Sequence, residues 1–172
     1  MAIKDTLEVI NRMQADGVIE QYAIGGAVGA TFYIEPAATV DLDIFVEFPN
    51  APEARLISLS PIYEYLVSRG CKAEGEYIVV GDWPVQFLPA SGDLDREALE
   101  HAIETDVDGV RTRVIGPEHL IAIALRTGRS KDRSRIIQFF EQASIDSDKL
   151  QRILDKFGLM EKWQKLRARL DE

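Results

Sequence analysis

The stretch Tyr22 to Glu47, YAIGGAVGATFYIEPAATVDLDIFVE, restricts the fold of this chain more than any other. Tyr22-Ala23-Ile24 reads as a short strand running into Gly25-Gly26. A helical segment is expected from Ala27 to Ile34, ended by Pro36. The next apolar run, Val40-Asp41-Leu42-Asp43-Ile44-Phe45-Val46, is rich in β-branched residues and predicts a mostly buried strand, yet it carries two acids.

Side chains alternate across a strand, so Asp41 and Asp43 fall on one face while Leu42, Ile44 and Val46 fall on the other. Two carboxylates that close repel each other, and burying either without a partner costs several kcal/mol as an order of magnitude. One reading makes them exposed acids at a sheet edge. The other makes them ligands of a hard cation, Mg²⁺ or Mn²⁺, which takes oxygen donors and is commonly shared between one or two carboxylates and substrate phosphates. Gly25-Gly26 favours that second reading, because it allows close backbone approach to phosphates where a strand hands over to a helix.

The arrangement Gly25-Gly26, fourteen residues, then Asp41-x-Asp43 set in apolar residues resembles the nucleotidyltransferase signature of the DNA polymerase β superfamily. In detail, IGGAVGATFYIEPAATVDLDIFV is similar to the AbiEii/AbiGii-type and minimal nucleotidyltransferases, with Thr39 at the threonine position two before the first acid. Downstream, Pro84 to Pro89 resembles the family's next strand and Gly128-Arg129-Ser130-Lys131-Asp132 its G-R-x-K-D helix start, so the likeness covers about residues 20 to 140. It implies an α/β (α+β) nucleotidyltransferase fold, a mixed sheet flanked by helices with a helical C-terminal part. The implied activity is metal-dependent transfer of a nucleoside monophosphate from a nucleoside triphosphate to an acceptor, which can be RNA, a small molecule or a protein. Asp41 and Asp43 would hold Mg²⁺ or Mn²⁺ and be catalytic. Gly25, Gly26, Thr39, Lys131 and Arg129 would bind the nucleotide.

Three positions depart from the family pattern. Gln86 stands where a third carboxylate is expected, Ala37 where many relatives have an arginine, and Arg135 where many carry an acid. An amide is neutral and cannot act as a base. This leaves a two-carboxylate site completed by waters, a compensating acid such as Asp82 or Asp93, or a fold that has lost transfer. In the last case the chain would be a nucleotide- or protein-binding partner, as in a toxin–antitoxin or phage-defence pair.

Bulk properties narrow the setting. A chain of 172 residues forms one domain that buries roughly 70% of its unfolded surface. Cys71 is the single cysteine, which excludes an internal disulfide and a cysteine zinc site and fits the reducing cytoplasm. No apolar run is long enough for a membrane span, and the opening MAIKDTLEVINRM reads as an amphipathic helix with Ile3, Leu7, Ile10 and Met13 on one face. The net charge of −9 argues against broad nucleic-acid binding, which needs an extended basic surface.

Beyond the motif, Ser60-Pro61 starts a helix through Val67, and Cys71–Val80 and Trp83–Leu88 are expected as two strands joined at Gly81-Asp82. A helix from Asp93, a hairpin about Asp108-Gly109 and an apolar helix after Gly116-Pro117 follow. Residues 1–116 are read as the α/β core and 117–172 as helices packed on it. The basic segment Arg126 to Arg135 is either a solvated face paired with nearby acids or a triphosphate contact through Lys131, with Asp132 orienting the helix start or pairing an arginine. His101 and His119 lack metal-ligand spacing, and Tyr33 and Phe45 are expected to pack in the core.

Overall fold

The computed structural model describes residues 3–36, 41–49 and 58–171. Thr39 and Ala37 lie outside the described residues. Seven strands form one mixed sheet: β1 (Gln21–Gly25), β2 (Leu42–Glu47), β3 (Lys72–Glu74), β4 (Tyr77–Val80), β5 (Trp83–Pro89), β6 (Ile103–Val107) and β7 (Val110–Val114). Their spatial order is β3-β4-β5-β2-β1-β7-β6. β2 is therefore the middle strand, antiparallel to β1 and parallel to β5. This disposes of the edge reading for its acids.

Eight helices accompany the sheet among the described residues: α1 (Ile3–Ala15), α2 (Gly26–Ala30), α3 (Ser60–Val67), α4 (Asp93–Glu100), α5 (Pro117–Thr127), α6 (Ser130–Gln142), α7 (Ser147–Lys156) and α8 (Met160–Leu170). The α/β fold with flanking helices matches the expectation. Two local expectations do not hold. The helix after Gly25-Gly26 closes at Ala30 and continues as overlapping turns to Ile34, where Ile34 N–H donates to the Ala30 carbonyl at 3.0 Å. The Cys71–Val80 strand is broken by a turn at Gly75-Glu76, so it supplies both β3 and β4 and makes a three-stranded meander with β5.

The sheet separates two apolar layers. On one face Leu7, Ile10 and Met13 of α1 and Ile62 and Leu66 of α3 cover Leu42, Ile44 and Val46 of β2. The periodic apolar positions of α1 are the ones buried, joined by Thr6, whose hydroxyl donates to the Val80 carbonyl at 2.7 Å and so enters the core satisfied. On the other face a second cluster joins Ala23, Phe45 and Ile115 to α4, α5, α6, α7 and α8. α5 is buried along most of its length, as its uninterrupted apolar run requires. Burial of this extent, at about 25 cal/mol per Å² of apolar surface, is the main term holding both layers to the sheet.

Candidate functional site

The site is built on the second face. Asp43 opposes Gly25 on β1 and Gln86 on β5 in register, and Phe45 follows it on the same face. Gly26 has φ +60, and a β-carbon there would collide with the Asp43 carboxylate. Gly25 is held to glycine by contact, since a β-carbon would meet the Phe45 ring. The Gly-Gly pair is thus what lets the start of α2 lie against the first acid-bearing turn of β2. Tyr77 of β4 sits at the level of Gln86, because Ile78 is registered with Val85.

Across a cleft of about 290 Å³ from Asp43 lie the end of α5 and the start of α6, bringing in Arg126, Arg129, Asp132 and Arg135. Gly128 ends α5 in the left-handed conformation, and Arg129 is the N-cap of α6. Asp132 is 1% exposed and binds Arg129 three ways: it accepts from the backbone N–H at 3.2 Å, from Nε at 2.7 Å and from Nη2 at 3.2 Å. Arg135 Nη1 approaches Oδ1, the oxygen that also accepts from Arg129 Nη2, at 3.6 Å. Both expectations for Asp132, orienting the helix start and pairing an arginine, are met by one carboxylate. Arg133 turns back to donate to the Gly128 carbonyl at 2.7 Å, which ties the two helix ends together.

Electrostatics follow from this packing. Burial, reinforced by the Asp41 charge, pushes the Asp43 carboxyl up to about 6, while Arg129, Arg135 and Lys131 pull it down. Asp41 and Asp43 therefore share one field, and the N-cap Arg129 together with Lys131 and Arg135 of α6 acts on it. Asp43 Oδ1 is buried and accepts no hydrogen bond. Tyr77 is raised above its ordinary value mainly by Asp41, which brings its phenol within electrostatic reach of the same pair.

The donor set fits a hard divalent cation: two carboxylates in mutual repulsion, one buried oxygen without a protein donor, and a Gly-Gly approach beside it. Among the described residues a compensating third acid does not appear. Among the described residues no group of three or more His, Cys, Asp or Glu side chains is placed to hold a metal, so Asp82 and Asp93 do not complete the pair. Asp93 instead pairs with Arg96 in the first turn of α4, at 2.5 Å.

Asp95, not among the candidates drawn from the sequence, lines the cleft from α4 and accepts from Arg126 Nη2 at 2.9 Å. Its signal was available: Leu94, Asp95, Ala98 and Leu99 form the buried face of α4. His119 is buried and pairs through Nε2 with Glu97 at 2.8 Å, with His101 stacked on it at 5.9 Å between centroids. Tyr33 donates to the Ile115 carbonyl at 3.1 Å, and Phe45 is buried, so both are packing residues. A larger hollow of about 550 Å³ lies between α6, α7 and α8, lined by groups such as Phe140 and Trp163, and has no paired acids.

No family model matches the chain, and no curated protein matches it. Solved structures do. A nucleotidyltransferase-like antigenic protein from Paracoccidioides brasiliensis superposes with a TM-score of 0.59 at 16% identity, covering 98% of this chain and 92% of its own. The antibiotic-resistance factor ANT(2'')-Ia, in complex with adenylyl-2''-tobramycin, superposes with a TM-score of 0.51 at 14% identity over 95% of this chain and 98% of its own. Its solution structure gives a TM-score of 0.52 at 13% identity, over 96% and 95% of the two chains. At these identities the likeness is one of fold, and the fold is nucleotidyltransferase-like.

Proposed function

We propose that the chain is a metal-dependent nucleotidyltransferase that moves a nucleoside monophosphate from a nucleoside triphosphate to an acceptor. The observation that carries this reading is the pairing of Gly25-Gly26 with Asp43 across β1 and β2, opposite the basic start of α6. Asp41 and Asp43 would hold Mg²⁺ or Mn²⁺. When bound, that ion supplies charge neutralisation at the phosphate oxygens. Gly25 and Gly26 admit the phosphates close to the backbone. Arg129, fixed by Asp132, and the exposed Lys131 place positive charge where the leaving pyrophosphate gathers negative charge. Catalysis of this kind is mostly positioning and charge stabilisation, which two protein carboxylates and a basic helix start can supply.

The motifs at Thr39, Asp41, Asp43 and Gly128 to Asp132 support the AbiEii/AbiGii-type group within this reading. The neighbour solved with adenylyl-2''-tobramycin supports small hydroxylated molecules as the first acceptors to try, ahead of RNA ends and protein side chains. A second reading, a nucleotide- or protein-binding relative without turnover, is favoured by Gln86, the amide in register with Asp43.

Transfer of label from α-³²P nucleoside triphosphates into the small-molecule, RNA and protein fractions of a cell extract tests the proposal. Label that requires Mg²⁺ or Mn²⁺ and is absent with Asp41→Asn/Asp43→Asn is expected. Tight metal-dependent nucleotide binding with no labelled fraction would overturn transfer and leave the second reading.

A further inference from the structure

We propose that this site binds a single divalent cation with its nucleotide, and that Gln86 is the residue that sets that number. The inference rests on the nucleotide reading above and concerns how the same site is charged. Two-cation centres hold their ions about 3.5–4 Å apart and need carboxylates enough to bridge and share them. Here the strand beside β2 offers an amide at the one position registered with Asp43 and on its face. Whichever way the amide is turned, it presents one neutral oxygen and one NH₂ group, so it adds no charge to the pair.

Neither of the other sides of Asp43 makes up the deficit. Toward β1 the neighbour is Gly25, without a side chain. Across the cleft the neighbours are Arg129 and Arg135, both held by the buried Asp132. Asp95, the remaining acid of the cleft, is engaged by Arg126. Among the described residues no third acidic or imidazole side chain joins Asp41 and Asp43 in a metal-binding group. A second cation would sit beside fixed guanidinium charges with no additional carboxylate to hold it.

Counting bound Mn²⁺ by electron paramagnetic resonance, on the full chain saturated with the α,β-methylene analogues of ATP, GTP, CTP and UTP, tests the proposal without turnover. One ion per chain is expected for the native protein, none above the nucleotide-only background for Asp41→Asn/Asp43→Asn, and two for Gln86→Asp, with the dipolar broadening of neighbouring ions. Gln86→Glu, with a longer reach, gives a second chance of the same gain. Two ions on the native chain would overturn the single-cation proposal and leave the nucleotide site standing. A native count no higher than that of Asp41→Asn/Asp43→Asn would overturn the nucleotide reading itself. A count of one in both folded Gln86 variants would remove Gln86 as the determinant.

Discussion

Leu42, Ile44 and Val46 point from β2 into an apolar layer under α1 and α3, whereas Asp43, one residue out of phase, points into the cleft bounded by α5 and α6. The first set has no polar atom to satisfy and contributes stability in proportion to buried area. The second holds an acid with an oxygen that accepts no hydrogen bond, beside another acid, so in the isolated protein it works against folding. One strand thus carries the core on one face and the candidate chemistry on the other, and the two faces respond to substitution in opposite ways.

Asp41→Asn/Asp43→Asn separates the faces most widely. Metal-dependent nucleotide binding is expected to fall by at least about a hundredfold, while the melting temperature at pH 7 stays level or rises because the repulsion is gone. Ile44→Ala should do the reverse, costing about 2–5 kcal/mol in urea denaturation with nucleotide affinity of the folded fraction unchanged. An Ile44→Ala protein that kept full stability would show that the apolar face is not the stabilising one.

Acid titration gives the next effect. Asp43 has a folded value of about 6, above its unfolded one, so its protonated form stabilises the fold. That stability is complete below the unfolded value and is lost as pH rises through about 6, amounting to roughly 2–3 kcal/mol in metal-free buffer. Denaturant midpoints measured from pH 4 to pH 8 should decline over this window, decline less with Mg²⁺, and lose that decline in Asp43→Asn. His119 works with the opposite sign. Burial holds it below the ordinary imidazole value against the pull of Glu97, with Lys149 and His101 adding to the depression and Lys156 bonded to the far side of Glu97. Its stability is present above the ordinary value near 6.5 and lost as pH falls below it, which the Asp43→Asn background exposes. The smallest expected change is for Lys131→Ala, about tenfold in nucleotide affinity with no change in stability, since the side chain is exposed. No change in affinity would leave the charge role to Arg129 alone.

The strand β2 and the Gly-Gly turn were legible because their residue types are demanded by geometry: apolar alternation on a middle strand, and a position where any β-carbon meets Asp43. Helical period marks α1, and cap and proline signals mark the starts of α3, α4 and α5, to within a few residues. The strand pattern fails at Gly75-Glu76, where two residues inside a strand-like run form a turn between β3 and β4. Asp95 is likewise not singled out, because acids in the first turn of a helix are ordinary and only the fold brings Arg126 against this one. Asp82 and Asp93 looked like compensating acids for want of a register; once Asp43 is aligned with Gln86, the level at which such an acid belongs is occupied by an amide.

Isothermal titration of ATP, GTP, CTP and UTP in Mg²⁺ or Mn²⁺, on the native chain and on Asp41→Asn/Asp43→Asn, tests most directly whether the acidic face of β2 is a nucleotide site. Metal-dependent heat from at least one nucleotide, lost in the double variant while its fold is retained, is the result predicted here. Equal silence from both folded proteins would contradict it.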